Sequence, residues 1–205
     1  MKKKLQNPRG YLSWTQIDLW LRDPERYVKQ YMLGGDGDKN DRMNFGSKVA
    51  TAIETGESTG DITIDTLAAT IPRYKKSEHE IRATLKTDKG DVVLLGKLDT
   101  FCPDTLAFDE YKTGTTKWTQ RMAQNHKQLD HYTTLIYLES GKIPPKIRLI
   151  HAQTEVVDGE VSLTGKVTSF EVKKTLSDIL QYMAVASRVA KEIDKRYREE
   201  IKSSL

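Results

Sequence analysis

The chain has 205 residues, 37% apolar and 30% charged, with a mean hydropathy of −0.61. That composition belongs to a folded domain rather than a disordered chain, and no apolar run approaches the ~18 residues of a membrane span. The balance of 33 basic against 29 acidic residues leaves +4, which permits an anionic partner such as nucleic acid without demanding one. The single cysteine, Cys102, excludes a disulfide framework and any site built on several thiolates, and it points to the cytoplasm.

Residues 1–12 are basic and no apolar segment follows them, so they read as a tail rather than a signal peptide. A helix starts at Ser13, where Ser13 and Gln16 fit a capping box, and Ile17, Trp20 and Leu21 share one face. Asp23-Pro24 is a second helix start, with proline at the first helical position, and Tyr27, Val28 and Tyr31 continue the apolar face. Residues 34–41 predict a mobile polar loop. A helix over 42–55 buries Val49 and Ile53 and stops at Gly56, and a short helix follows over 62–70.

From Glu78 the apolar period changes to two, and three antiparallel strands form a meander over 78–113. A long helix over 118–140 ends at Gly141, and a strand over 146–154 follows it, which predicts a parallel crossover into the same sheet. Asp158-Gly159 predicts a hairpin with strands at 160–164 and 166–172. The last 30 residues form one amphipathic helix with an inner stripe of Leu176, Ile179, Leu180, Met183, Ala186, Ala190 and Ile193. The outcome is one α/β domain with four parts: the tail 1–12, a helical part 13–75, a mixed sheet core 76–172 of order βββαβ, and the C-terminal helix 173–205.

The chemistry concentrates in Gly96-Lys97-Leu98-Asp99 and Phe108-Asp109-Glu110-Tyr111-Lys112-Thr113-Gly114. On a strand Glu110 and Lys112 point the same way, roughly 6.5–7 Å apart, and pairing across the short turn brings Asp99 beside Glu110. Two converging carboxylates make a hard oxygen site suited to Mg²⁺ or Mn²⁺, and a neighbouring ammonium can orient water or offset charge on a phosphate. The bare triplet acid-x-lysine carries no weight: about three are expected by chance, and three occur, at Glu110, Glu171 and Glu200. Glu110 is set apart by its apolar strand, by the aspartate on the preceding strand, and by the Thr-Gly that follows. The alternative for Glu110 and Lys112 is a solvated strand face carrying an ion pair.

Together with Gln128-Leu129-Asp130-His131-Tyr132, these segments resemble the RecB-like, phage-type exonuclease branch of the PD-(D/E)XK nuclease superfamily. Ser13 to Tyr27 is similar to that branch's opening motif, and Gly46-Ser47-Lys48-Val49-Ala50 to its G-x-x-x-H helix. The resemblance implies a restriction-endonuclease-like fold and a divalent-metal-dependent deoxyribonuclease. Asp99 and Glu110, with the Tyr111 carbonyl, would hold metal; Lys112 would position water or stabilise the transition state; Gln128 and Tyr132 would line the cleft and touch DNA or brace the metal site, the alternatives being an exposed helix residue for Gln128 and a core aromatic for Tyr132.

Two departures stand out. Ala50 occupies the place of the motif histidine, and Glu54, one turn later, is a substitute metal ligand or a surface glutamate. Glu80 is a weaker substitute. Asp23 stands where iron–sulfur members carry a cysteine, so an iron–sulfur cluster is excluded. Lys117 and Trp118 offer phosphate and base contacts to single-stranded DNA or duplex ends, or else form a solvated face with the indole packed beneath. His79, His126, His131 and His151 lack metal spacing and read as surface residues. Lys191, Lys195, Arg196 and Arg198 alternate with acids as a solvated helix face. No phosphate-binding loop motif is present, so unwinding falls to a separate helicase or recombinase, and nothing in the sequence opposes an oligomer. The alternative to the enzyme is a catalytically weak or inactive nuclease fold that binds DNA or protein.

Overall fold

The computed structural model describes residues 4–35 and 41–203. Most of the polar loop expected over 34–41, and the first three residues of the expected tail, lie outside them. One mixed sheet of six strands carries helices on both faces. Its strands are β1 (Leu12–Ser13), β2 (Lys76–Lys86), β3 (Asp91–Cys102), β4 (Ala107–Gly114), β5 (Ile147–Val157) and β6 (Glu160–Val172). The helices are α1 (Trp14–Arg22), α2 (Pro24–Tyr27), α3 (Asp41–Thr55), α4 (Ile62–Thr70), α5 (Gln120–Gln124), α6 (Lys127–Ser140) and α7 (Leu176–Ser203). A π-helical turn, Val28–Met32, continues α2. None of the described helices is long and apolar enough to cross a membrane.

The helix starts follow their caps. The Ser13 hydroxyl accepts from the Gln16 N–H, and the Asp23 carboxylate accepts from the Arg26 N–H at 3.0 Å, with Pro24 opening α2. The meander β2–β3–β4 is antiparallel, and β5 joins β4 in parallel after the crossover through α5 and α6. One core lies between the sheet and α1, α6 and α7; a second, containing Val49, Ile53, Ile64 and Ile150, lies under α3 and α4.

Four expectations are corrected. The N-terminal segment is not a free tail: Leu5 and Leu12 are buried, the Leu5 N–H donates to the Asp91 carbonyl, and β1 pairs in parallel with β3 through Leu12 and Leu94. The helix over 118–140 is broken at Asn125-His126, where His126 adopts extended backbone. That break is held from outside: Lys174 Nζ donates to the Gln124 carbonyl at 2.5 Å, and the Gln124 amide pairs with the Lys173 backbone. The two strands expected over 160–172 are one strand, β6, running antiparallel to β5 with a bulge where Thr164 and Gly165 (φ 79°) depart from the ladder. In α7 the buried stripe runs Ile179, Tyr182, Ala186, Val189, Ala190 and Ile193, while Leu176 and Leu180 are exposed, because the face is set by packing on α6 rather than by apolarity alone.

The sheet forks at the site. On one edge β3 pairs with β2 along most of its length. On the other, β1 takes Leu94 and Leu95, β4 takes Thr100 to Cys102, and the stretch 96–99 has no strand partner. Helix α6 fills the gap: the Leu95 carbonyl bonds the His131 ring at 2.9 Å and the Lys97 carbonyl accepts from the Tyr132 hydroxyl at 2.8 Å. Close approach demands a glycine here, since a Cβ on Gly96 would stand 2.5 Å from Leu135 Cδ1 and 2.9 Å from the Tyr132 ring.

Candidate active site

The register Thr100↔Asp109, continued by one residue into the fork, sets Asp99 opposite Glu110. The strands part at this point, so Asp99 meets a backbone donor instead of a ladder: its Oδ2 accepts from the Tyr111 N–H at 2.6 Å. Across β3, the pairing with β2 skips Glu78, whose φ is +50°, and Lys97 forms an ion pair with Glu78. The strand is thus irregular on both sides of Asp99.

Glu110 and Lys112 share a face of β4. Lys112 Nζ lies 2.5 Å from Glu110 Oε1 and donates to Gln128 Oε1 at 2.7 Å. The Gln128 amide donates to the Tyr132 hydroxyl at 2.8 Å, and that hydroxyl donates to the Lys97 carbonyl. The chain of bonds runs one way, from ammonium to backbone carbonyl, and fixes which end of the Gln128 amide faces Lys112. The i, i+4 spacing of Gln128 and Tyr132 on α6 makes the relay possible.

Glu110 is only 2% exposed, and its Oε2 is buried without a hydrogen-bond donor among the described residues. Burial, and then the neighbouring Glu110 carboxylate, push the Asp99 carboxyl up to about 8; the Tyr111 N–H and Lys112 act in the opposite direction. Two desolvated carboxyl groups therefore face a single ammonium, and a hydrogen bond between them also raises Asp99. A divalent cation would answer that shortage of positive charge. Among the described residues no group of three or more His, Cys, Asp and Glu gathers, so the protein would offer two carboxylates and the Tyr111 carbonyl. This sparse oxygen set suits Mg²⁺, which keeps its remaining positions for water and phosphate oxygens.

A cavity of about 170 Å³ opens beside these groups, lined by Asp99, Glu110, Tyr111, Lys112 and Thr113 from the strands and by Gly46, Val49, Ala50 and Ile53 from α3. Ala50 thus stands at the site and brings no donor to it. Glu54 is exposed and lies outside this lining, as a surface glutamate would: the face of α3 turned to the cavity runs through Gly46, Val49, Ala50 and Ile53. Glu80, exposed on β2, pairs with Arg82 instead.

Lys117 is exposed on the loop after β4, while Trp118 is half-buried against the main core. The indole lies between two imidazoles, 5.2 Å from the His126 ring and 6.2 Å from that of His151. The reading of Trp118 as packed beneath the surface fits this placement better than a free stacking platform does.

Two of the four histidines are buried rather than at the surface, and His79 and His126 are half-buried. His151 is buried and its Nε2 bonds the Gly114 carbonyl at 3.1 Å. His131 is fully buried; its Nε2 carries the hydrogen, since a carbonyl accepts from it, and its Nδ1 accepts from the Tyr182 hydroxyl at 2.8 Å. Burial pushes the His131 and His126 rings down to about 4. His131 sits next to Tyr132 on α6 but braces the fork from within. Its position beside the Gln128–Tyr132 pair was the available signal; its burial depends on α7, which sequence spacing does not reveal.

The chain matches no protein-family model and no curated protein. Among solved structures it is similar to the crystal structure of SSO0001, with a TM-score of 0.52 at 11% identity, over 88% of this chain and 74% of that one. A likeness at that identity concerns the fold alone.

Proposed function

We propose that this chain is a Mg²⁺- or Mn²⁺-dependent deoxyribonuclease, an exonuclease acting in the cytoplasm on single-stranded DNA or duplex ends during recombination, repair or phage DNA processing. The observation that carries the reading is the convergence of Asp99 and Glu110, with one orphaned carboxylate oxygen, beside an ammonium held in a fixed place. The metal, when bound, would supply Lewis acidity toward the phosphate and lower the pKa of water. Lys112, tethered by Glu110 and Gln128, orients the attacking water and offsets the charge that grows on the phosphate. Tyr132 and Gln128 keep that ammonium in place through their relay to Lys97.

The test is cleavage of linear and circular, single- and double-stranded DNA with Mg²⁺ or Mn²⁺. Cleavage abolished in Glu110→Ala and Lys112→Ala is the expected result; equal cleavage by both variants removes these residues from the mechanism. A second reading, a nuclease fold that holds DNA or a protein without cutting, is favoured by the donor-free Ala50 at the cavity wall. Salt-sensitive binding without cleavage under either metal selects it.

A further inference from the structure

A second groove, about 270 Å³ in volume, lies between α4 and the bulge of β6. It adjoins the candidate active site, with Leu67 and Ala152 forming the wall common to both cavities. The bulge creates it: at Gly165 the backbone leaves the ladder, and the turn that follows carries Lys166 to the groove. The floor is apolar, made by Leu67, Ala152 and Leu163. Threonines 63, 66 and 70, at helical spacing along α4, line one wall, and the Thr70 hydroxyl is turned inward to the Thr66 carbonyl. Lys166 is exposed and forms no ion pair among the described residues, and its charge reaches His151, the register partner of Lys112.

We propose that this groove holds one unpaired nucleotide of the DNA strand whose phosphate lies at Asp99 and Glu110. The inference rests on the DNA-binding reading above. The volume falls just below the usual range of small-ligand pockets, which suits one nucleotide and not a duplex. The floor takes the faces of a base, the hydroxyls of Thr63 and Thr66 meet polar edges, and Lys166 meets a phosphate. The wall shared with the cavity of Asp99 and Glu110 makes the occupant a neighbour of the phosphate under attack.

The test is anisotropy of a fluorescein-labelled single-stranded DNA oligonucleotide in EDTA, with a blunt duplex as comparison. Thr66→Tyr fills the groove, Lys166→Ala removes its cation, and Ala69→Tyr adds the same bulk at an exposed position of α4 outside the lining. The expected result is single-strand affinity about tenfold weaker in Thr66→Tyr and about threefold weaker in Lys166→Ala, with Ala69→Tyr and duplex binding unchanged. Should Thr66→Tyr not fold by circular dichroism, Thr63→Tyr takes its place. Wild-type binding that no groove variant alters, or that Lys166→Ala alone weakens, overturns the groove and leaves the DNA reading standing. Absence of wild-type binding to either DNA overturns both.

Discussion

Replacing Tyr132 by phenylalanine removes one oxygen and leaves the ring. That oxygen accepts from the Gln128 amide and donates to the Lys97 carbonyl, each at 2.8 Å, in a residue only 6% exposed. Its loss strands two polar groups at the fork of the sheet. A buried group left unsatisfied costs about 1–3 kcal/mol; Gln128 is half-buried and regains water, so the expected loss is ~2 kcal/mol, carried mainly by the Lys97 carbonyl. For a domain of this size that is a fall in Tm of about 4–8 °C. The assay is urea unfolding of Tyr132→Phe beside Tyr137→Phe, whose hydroxyl makes no hydrogen bond among the described residues and whose loss should cost under ~0.5 kcal/mol. Equal midpoints for the two variants, at equal m-values, would refute the claim that the Tyr132 hydroxyl closes the fork.

Three further outcomes are expected. The His131 ring is held neutral, with its folded value near 4 below the unfolded 6.5, so its contribution is complete above pH 6.5 and is lost as pH falls from 6.5 to 4. The loss amounts to ~3 kcal/mol; urea midpoints from pH 4 to 8 should slope more steeply for wild type than for His131→Gln, and equal slopes would count against the buried neutral ring. Gly96→Ala drives a methyl into Leu135 and the Tyr132 ring and should cost about 1–3 kcal/mol, with metal-dependent cleavage falling further than stability explains; an unchanged Tm is the contrary result. Ala50→His adds a nitrogen donor to the cavity that holds Asp99 and Glu110 and should tighten Mn²⁺ binding about tenfold by calorimetry; an unchanged affinity would place the ion elsewhere.

Local chemistry was legible from the residues. The caps at Ser13 and Asp23 and the alternation through the meander each depend on neighbours close in the chain, and each brings its residues to the place expected; the Gln128–Tyr132 spacing yields the bonded pair, with Tyr132 buried and neither residue in the cavity lining. What stayed hidden depends on distant partners. Leu5 and Leu12 have no periodicity of their own and are buried only because β3 offers a free edge to β1. The break at Asn125-His126 lacks Gly and Pro; the Gln124 carbonyl just before it is satisfied by Lys174, 50 residues onward from Gln124. The exclusion of Glu54 from the cavity turns on where α3 packs, since a helix of 3.6 residues per turn drifts by about 40° over four positions. Tyr182 and Val189 replace Leu176 and Leu180 on the inner face of α7 for the same reason.

Where β3 lacks a neighbour strand, side chains of α6 stand in for the missing rungs. Scaffold and candidate site consequently share one set of bonds, and neither can be tuned alone. Any screen for impaired variants around Gln128, His131 and Tyr132 will recover misfolded and chemically silent proteins together, so turnover there has meaning only when normalised to the folded fraction. Conversely, a bound ion that quiets the two carboxylates should tighten the whole fork, and added metal would then raise the melting temperature.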